Sequence, residues 1–354
     1  MTEVDTAVLD VRNVRVGFSR RRGAPLFWAL DDVSLTVRRG RTMGLVGESG
    51  SGKSTLARAV LGLVPVQSGA VELLGQDITH LPAKARRALG RTLQAVFQDP
   101  NSSLNPSYTV GRSLAEPLRA QGVRARDELG RRTSTMLEDV GLEPTAAARY
   151  PRQFSGGQRQ RISIARALMT SPQVVICDEA VSALDLSVQA QILNLLSDLQ
   201  DEHGLSYLFI SHDMSVVRHL CHDLTVLYRG QVMETGPTSL VANRPAHPYT
   251  QALLLAAPVA DPTVQRQRRA RASDYVDGSA AAVSTGCPFA PRCPFAEKRC
   301  WQDRPTLETV SDGRAVACHR YPDWQQEAGT LVAQDPVAAA AGSGAVALPE
   351  TTAR

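Results

Sequence analysis

Residues 47–55, Gly-Glu-Ser-Gly-Ser-Gly-Lys-Ser-Thr, constrain the fold more than any other segment of the chain. They fit the pattern G-x-x-x-x-G-K-[ST] in full. Glycines without a Cβ let consecutive backbone N–H groups surround a phosphate, and a following helix points its positive end at the same oxygens. Lys53 then reaches the outer phosphates, and the Ser54 hydroxyl binds Mg²⁺. The predicted phosphate-binding residues are Gly47, Glu48, Ser49, Gly50, Ser51, Gly52, Lys53, Ser54 and Thr55.

The segments around this loop predict an α/β fold. An apolar strand at 43–46 precedes the loop, and two more buried strands are expected at 174–177 and 207–210. Val188, Ile192, Leu195 and Leu199 recur between them at helical spacing, and Gly204 is a suitable helix stop. This strand–helix–strand order is typical of a parallel sheet. Alternating apolar residues at 14–18 and 33–37 predict half-buried antiparallel strands, and the region from about 105 to 165 is helical in pattern.

Asp178 and Glu179 leave the buried strand 174–177 together, at the end where open α/β sheets bind ligands. We expect Asp178 to hold Mg²⁺, largely through water, and Glu179 to polarise the water that attacks the γ-phosphate. The alternative is a pair of acids that merely caps the strand at the surface. His212 follows the strand 207–210, where it could contact the γ-phosphate.

A second anion-binding helix start is expected at Ser155, Gly156, Gly157 and Gln158. Ser155 is a good N-cap residue, and the glycines leave amides uncovered at the start of a helix. One nucleotide needs only one phosphate loop. A second such helix start therefore suggests that two chains share their nucleotides.

Together these residues resemble one family closely, the ATP-binding subunits of ABC transporters, from about residue 8 to residue 260. In that resemblance Gln98 is the Q-loop glutamine, residues 155–158 are the signature and His212 is the switch histidine. Phe18 resembles the aromatic residue that stacks on adenine, with Phe27 as the rival. The D-loop residues are Ser182, Ala183, Leu184 and Asp185.

The resemblance implies a RecA-like P-loop ATPase core with an antiparallel β subdomain and a helical signature subdomain at about 100–168. It implies Lys53, Gln98, Glu179 and His212 as the catalytic residues, and Mg²⁺ held through Ser54, Gln98 and Asp178. Two such chains would bind ATP head to tail, each nucleotide capped by the other chain's signature.

Residues 97–106, 247–250 and 286–300 are similar to a narrower branch, the oligopeptide and dipeptide importers. That resemblance implies a second ATPase chain, two transmembrane permease subunits and an extracytoplasmic peptide-binding protein. The second ATPase is expected to be a related but non-identical chain, with a second copy of this chain as the alternative. It places the chain at the cytoplasmic face of the cell membrane. The cargo stays open among peptides, nickel chelates and glutathione. A soluble ABC protein acting on DNA or ribosomes is the more distant alternative, disfavoured by the single ATPase unit and the lack of a heptad run.

Beyond residue 260 the composition changes. A basic linker is expected at 265–271, a four-cysteine C-terminal segment within 261–330, and a tail without fixed structure at 331–354. Cys287, Cys293, Cys300 and Cys318 are separated by five, six and seventeen residues, which by itself identifies no metal. Four thiolates suit zinc or an iron–sulfur cluster, and unmetallated core cysteines are the third alternative. Resemblance to the peptide importers favours a [4Fe–4S] cluster over zinc.

Composition narrows the remaining possibilities. Of 354 residues, 43% are hydrophobic and 21% charged, which excludes a wholly disordered, collagenous or small disulfide-stapled protein. A net charge of +4 gives no reason to expect a nucleic-acid partner. Apolar runs are far shorter than the ~20 residues of a membrane-spanning helix. The N-terminus lacks the basic and apolar regions of a signal peptide, so we expect the protein to stay in the cytoplasm.

Overall fold

The structure, a computed structural model, describes residues 6–19, 26–99, 103–259, 261–273, 275 and 285–328. The predicted tail at 331–354 lies outside the described residues. So do residues 100–102, which belong to the segment 97–106 that resembles the peptide importers.

Two sheets organise the described residues. An antiparallel sheet has the strand order β2-β1-β4-β5, and a mixed sheet has the order β11-β12-β10-β9-β3-β8-β7-β6. The strands are β1 (Ala7–Phe18), β2 (Phe27–Arg38), β3 (Thr42–Val46), β4 (Ser68–Leu73), β5 (Gln76–Asp77), β6 (Leu93–Phe97), β7 (Val174–Asp178), β8 (Ser206–Ser211), β9 (Asp223–Tyr228), β10 (Gln231–Pro237), β11 (Glu308–Thr309) and β12 (Ala315–Val316).

Helices cover the mixed sheet and form most of the region between β6 and β7. The α-helices are α1 (Lys53–Val60), α2 (Ala83–Ala88), α3 (Val110–Ala120), α4 (Arg126–Asp139), α5 (Gly156–Leu168), α6 (Leu186–His203), α7 (Met214–Leu220), α8 (Thr238–Val241), α9 (Pro248–Ala256), α10 (Pro262–Ala272), α11 (Lys298–Gln302) and α12 (Asp323–Glu327). Short 3₁₀ helices lie at Leu89–Arg91, Pro144–Ala148, Pro151–Gln153 and Ala290–Arg292. None of the helices in the described ranges is both long and apolar enough to cross a membrane.

The predicted α/β class is confirmed. Strands β6, β7, β8, β3 and β9 pair in parallel, so their carboxyl ends lie along one edge of the sheet. Helix α1 begins at Lys53, directly after the glycine-rich turn, and α6 ends before Gly204, whose φ of 64° suits glycine as a C-cap. The helical region is also found where it was predicted, as α3, α4 and α5.

Two apolar clusters hold these layers together. One lies between the antiparallel sheet and the mixed sheet, where Leu9 and Val11 pack with Leu45, Leu56 and Ile176. The other covers the opposite side and extends into the helical region and the C-terminal segment. The phosphate loop therefore starts from a strand that is buried from both sides, which fixes its position.

The C-terminal segment extends the same sheet. Strand β12 pairs antiparallel with β10, with Val316 opposite Glu234, and β11 pairs with β12. Cys287, Phe289 and Cys300 belong to the same apolar cluster as the helical region. The segment is therefore continuous in packing with the sheet that carries the phosphate loop.

The basic run at 265–271 is a helix rather than a plain linker. The Asp261 carboxylate accepts hydrogen bonds from the backbone N–H groups of Thr263 and Val264, at 2.7 and 3.3 Å, and caps α10. Pro262 occupies the first turn, and the arginines and glutamines that follow are good helix formers. None of the helix's residues is buried, so its charges are solvated as expected.

Candidate active site

Residues from four strands meet at one edge of the mixed sheet. Val46 of β3 is level with Ser211 of β8, and Asp178 of β7 is level with Ile210 of β8 and with Phe97 of β6. Parallel pairing therefore brings the phosphate loop, Gln98, the two acids and His212 to neighbouring positions. These residues were predicted separately from the sequence.

The glycines of the phosphate loop are required by their surroundings. Gly47 and Gly52 have φ angles of 154° and 110°. A Cβ at Gly47 would lie 2.1 Å from the carbonyl oxygen of Leu227, and one at Gly52 would lie 2.5 Å from that of Ala29. The loop can pass this close to β2 and β9 only without side chains at these positions.

Lys53 is buried at the start of α1, with 5% of its surface exposed. Its Nζ donates hydrogen bonds to the carbonyl oxygens of Gly47 and Glu48, at 2.7 and 3.0 Å. Burial lowers the pKa of Lys53, and the nearby carboxylates of Glu179, Asp178 and Glu48 oppose that shift. The ammonium group is thus held inside the loop, where an incoming phosphate would meet it.

Ser54 and Asp178 form the pair expected at a magnesium site. The Ser54 hydroxyl donates to Oδ1 of Asp178 at 3.2 Å, which joins the phosphate loop to the end of β7. Burial raises the pKa of Asp178, and the Ser54 hydrogen bond partly offsets this. A hydroxyl and a carboxylate oxygen are hard ligands of the type that Mg²⁺ prefers, so the residues present fit the ion. Gln98 is exposed just after β6, the strand next to β7.

Glu179 and His212 lie together at the same edge. The distance from His212 Nδ1 to Glu179 Oε1 is 3.5 Å, and the side chains are 56% and 21% exposed. Glu179 has a φ of 50°, in the left-handed region that residues other than glycine seldom adopt. Its backbone N–H donates to the carbonyl oxygen of Ile210 at 3.0 Å, so the neighbouring strand holds this conformation. The carboxylate lies beside His212 and is partly exposed to solvent.

A cavity of about 670 Å³ lies beside the phosphate loop. Phe27 and Trp28 line it together with Glu48, Ser49 and Arg292. Phe18 is the cross-strand neighbour of Phe27 at the end of the β1–β2 hairpin, but it does not line this cavity. Of the two candidates for stacking on a base, Phe27 is therefore the better placed, with 64% of its surface exposed.

The signature residues begin α5. Ser155 Oγ accepts from the N–H of Gln158 at 3.3 Å, and Gln158 Oε1 accepts from the N–H of Ser155 at 3.0 Å, which together form a capping box. A Cβ at Gly157 would lie 2.4 Å from Val188 of α6, so glycine permits the close contact of these helices. Ser155 and Gln158 are exposed, and none of the signature residues lines the cavity beside the phosphate loop.

The D-loop connects β7 to α6. The Ser182 hydroxyl donates to the carbonyl oxygen of Glu179 at 3.0 Å, and Asp185 caps α6 by accepting from the N–H of Val188 at 3.0 Å. Ala183 is exposed, Leu184 lies near Gly156, and Leu186 is 83% exposed. The D-loop therefore links Glu179 to the signature helix, and Leu186 directly after it presents an apolar side chain to the outside.

Two contacts at the phosphate loop were not anticipated from the sequence. Arg292 Nη1 donates to both carboxylate oxygens of Glu48, at 2.9 and 2.8 Å. The Tyr249 hydroxyl accepts from the N–H of Glu48 at 2.8 Å. Both residues stand in segments that the resemblance singled out, but only the fold reveals that they touch the loop.

The four C-terminal cysteines gather in space, yet they do not fit the predicted metal. Within the described residues, no three or more His, Cys, Asp or Glu side chains are arranged to hold a metal ion. Burial raises the pKa of Cys287 to about 11 and those of Cys293 and Cys318 to about 12, and the thiols add to each other's shifts. The [4Fe–4S] cluster predicted at Cys287, Cys293, Cys300 and Cys318, and the zinc alternative, are therefore not supported by the arrangement of these side chains.

Comparison with known proteins agrees with this site. The family described as ABC transporter matches residues 30–182, and the family described as the C-terminal region of oligopeptide/dipeptide transporters matches residues 233–300. A peptide import ATP-binding protein of Brucella abortus (strain 2308) is 49% identical over 315 residues, which is 88% of this chain and 92% of that protein. The oligopeptide transport ATP-binding protein OppF of Salmonella typhimurium is 44% identical over 319 residues, 88% of this chain and 95% of that protein.

A solved structure shares the fold as well. The dimeric post-hydrolysis state of the ATP-binding cassette MJ0796, bound to ADP and Pi, matches with a TM-score of 0.59 and 29% identity, covering 65% of this chain and 98% of that one. The identity to OppF and the matching C-terminal region together extend the relationship beyond the nucleotide-binding core. The chain therefore belongs to the ATP-binding subunits of ABC transporters, an ATPase family, and carries the C-terminal region of the oligopeptide/dipeptide branch.

Proposed function

We propose that this chain hydrolyses ATP to drive peptide import through permease subunits at the cytoplasmic face of a membrane. One observation carries the proposal: the Ser54–Asp178 contact of 3.2 Å and the Glu179–His212 contact of 3.5 Å lie at the same sheet edge, beside Lys53. Groups for binding phosphate, for holding Mg²⁺ and for activating water are thus within reach of one another. The names of the relatives support peptides as the cargo.

Binding begins with the phosphate loop. Lys53 exchanges its contacts with the carbonyl oxygens of Gly47 and Glu48 for phosphate oxygens, while the N–H groups at the start of α1 face the same charge. Ser54, Asp178 and Gln98 would hold Mg²⁺, which when bound offsets the negative charge that develops on the transferred phosphoryl group. The adenine base would stack on Phe27.

Hydrolysis needs a base and an orienting group. Glu179 accepts a hydrogen bond from the attacking water and draws off its proton, since its carboxylate is partly open to solvent at the end of β7. His212, 3.5 Å from Glu179, orients that carboxylate and faces the γ-phosphate. Ser182 holds the backbone of Glu179 through a hydrogen bond of 3.0 Å, so the base stays aligned.

The signature acts on a second nucleotide. Ser155 and Gln158 are exposed at the start of α5, and Gly156 between them is partly exposed. We therefore propose that a second, related ATPase chain brings its nucleotide to this helix start, in a head-to-tail pair. The exposed Leu186 beside the D-loop supplies apolar contact for that pair.

The permease subunits would dock near the Q-loop. A groove of about 930 Å³ lies there, lined by Leu63, Phe97, Tyr108 and Arg166 among others. Leu63 is 64% and Phe97 39% exposed, which are apolar surfaces suited to a helix of a partner. Because Phe97 immediately precedes Gln98, movement of such a partner would reach the magnesium site directly. An extracytoplasmic binding protein would deliver the peptide.

The experiment is ATP hydrolysis and peptide uptake with Glu179→Gln. We expect a fall in kcat of at least about 10²-fold while ATP still binds, because the amide cannot accept the water's proton. Glu202→Gln, an exposed acid on α6, serves as the matched control and should behave as wild type. Turnover of Glu179→Gln at the wild-type rate would contradict the assignment of the base.

Cargo is tested separately in cells that lack this subunit. Uptake of labelled dipeptides and oligopeptides should return with the wild-type chain and not with Glu179→Gln. Restored uptake of a nickel chelate or of glutathione, without peptides, would favour those cargoes instead.

A further inference from the structure

Arg292 connects the C-terminal segment to the phosphate loop. Its guanidinium binds both carboxylate oxygens of Glu48, at 2.9 and 2.8 Å, across a sequence separation of 244 residues. The arginine side chain is 17% exposed and that of Glu48 is 40% exposed. The pair is thus partly shielded from solvent on the arginine side, and solvent screens it only in part.

Glu48 is held at three points. Arg292 holds its carboxylate, the Tyr249 hydroxyl accepts from its N–H at 2.8 Å, and Lys53 donates to its carbonyl oxygen at 3.0 Å. Tyr249 is fully buried, so its position is fixed by the core. The contacts of the C-terminal region therefore determine where the first turn of the phosphate loop lies.

The Glu48 carboxylate needs a positively charged partner if a nucleotide is to bind beside it. Its side chain lines the same cavity as Ser49 and Gly50 of the phosphate loop. A triphosphate bound there carries several negative charges, and an uncompensated carboxylate nearby would repel it. The guanidinium of Arg292 lines the cavity too and neutralises that carboxylate, because its Nη1 donates to both carboxylate oxygens.

The C-terminal segment holds Arg292 firmly in this position. Arg292 ends a 3₁₀ helix directly before Cys293, and its guanidinium lies 5.5 Å from the ring centroid of Phe289. Phe289 is fully buried and packs edge-on against Tyr228 at 5.4 Å and tilted against Tyr249 at 5.3 Å. The cysteine-bearing strip 287–293 thus anchors both the arginine and the tyrosine that contact Glu48.

We propose that Arg292 is a positioning residue of the nucleotide site, which neutralises Glu48 and so makes ATP affinity dependent on the C-terminal segment. The proposal rests on the proposed function, because it requires ATP at the phosphate loop. It goes beyond that function by giving the C-terminal segment a role in nucleotide affinity. Arg292 acts through Glu48, so it should change ATP affinity much more than the rate of the chemical step.

The test is a double-variant cycle on the full chain, with Kd for ATP and KM and kcat for hydrolysis as readouts. Arg292→Ala should raise Kd and KM for ATP about tenfold, because one carboxylate then faces the phosphates unpaired, and kcat should change less than about twofold. Arg292→Lys should recover part of the loss. Glu48→Gln combined with Arg292→Ala should return to within about twofold of Glu48→Gln alone, since no charge is left to neutralise.

Two further measurements distinguish an electrostatic effect on ATP binding from a loss of folding. The increase in Kd caused by Arg292→Ala should be smaller for ADP than for ATP, and it should decrease at high salt. Arg299→Ala removes an exposed arginine of the same segment, paired with Asp303 at 4.0 Å, and should leave Kd unchanged.

The outcomes are distinct. If Arg292→Ala binds ATP as wild type does, or if Glu48→Gln fails to rescue it, the role of Arg292 is wrong while the ATPase assignment stands. If wild type and Lys53→Ala bind ATP equally weakly, the proposed function itself fails.

Discussion

The strand-edge site and the C-terminal segment both contact the phosphate loop, yet they follow from the sequence to different degrees. At the strand edge, each functional residue stands directly beside the strand that positions it, as Asp178 does at the end of β7. In the C-terminal segment the contact with the loop joins Arg292 to Glu48, 244 residues away. Short-range geometry is encoded by neighbouring residue types, whereas a contact across the chain depends on how every intervening element packs.

The comparison also changes the interpretation of the cysteines. Four thiolates suit a metal, and resemblance to the peptide importers favours a [4Fe–4S] cluster, although the spacing of the cysteines by itself identifies no metal. The structure instead places Cys287 and Cys300 in an apolar core shared with the ATPase, with Cys293 packed against it. The segment packs against the ATPase core and contacts the phosphate loop through Arg292.

The largest expected effect is on thiol reactivity. With pKa values of about 12, Cys293 and Cys318 would be about 10⁻⁴ ionised at pH 8, against roughly a quarter for an ordinary thiol. Alkylation by iodoacetamide, followed by mass spectrometry, should be at least about 10³-fold slower in the folded chain than in denaturant. Reactivity should rise as the pH approaches the raised values.

Metal analysis tests the opposite possibility, that the same cysteines bind a metal. Iron with acid-labile sulfide, or zinc, in stoichiometric amount after anaerobic purification would mean that the thiols are anionic ligands. That result, lost in Cys293→Ser, would overturn the neutral, packed state described above.

The next largest effect is expected on the free energy of unfolding, from Phe289→Ala. Phe289 is fully buried and contacts Tyr228 and Tyr249, so its truncation should cost about 3–5 kcal/mol of unfolding free energy in urea. KM for ATP should rise as well, because Tyr249 holds Glu48. Trp301→Ala, at a position 47% exposed in the same segment, is the matched control and should cost less than about 1 kcal/mol. Separate unfolding of the segment with an intact ATPase would show that the two regions are independent.

The smallest effect concerns the pH dependence of stability through Glu234. This carboxylate is fully buried on β10, contacts Arg314 at 3.3 Å, and accepts from the N–H groups of Ala246 and His247. Burial raises its pKa to about 7. The folded state then binds this proton more readily than the unfolded chain, so the contribution of Glu234 is present below about pH 4.3 and is lost as the pH rises through neutrality.

Glu234→Gln should therefore reduce the fall in unfolding free energy between about pH 5 and pH 8, by up to about 3 kcal/mol. Urea unfolding at several pH values measures it. Glu308→Gln, an exposed acid on β11, should leave the slope as in wild type. An unchanged slope in Glu234→Gln would mean that this carboxylate does not titrate in that range.

Most of the fold and most of the nucleotide site could be predicted from the sequence, for identifiable reasons. A strand end that is followed by glycines, by acids or by histidine is a local signal, and α1 begins at Lys53, directly after the loop that predicts a following helix. The charged run 265–271 does not by itself predict a helix, because the residue that caps the helix, Asp261, lies before the run. The sequence favours Phe18 over Phe27 for stacking on the base, whereas Phe27 lines the cavity, because the sequence does not say which strand of a hairpin faces a cleft.

The short strands at the end of the mixed sheet have a consequence for how the chain should be handled. Strand β10 has seven residues and β12 has two, so β12 covers only part of the free edge of β10. A hydrogen bond of 2.9 Å from the N–H of Ala317 to the carbonyl oxygen of Met233 extends this cover. Removing the C-terminal segment would uncover backbone donors and acceptors on β10 beside the apolar Val232 and Met233. Open edges of that kind recruit other strands and lead to aggregation. A truncated chain would therefore precipitate for reasons unrelated to ATP, which makes single substitutions the sound way to study this part of the protein.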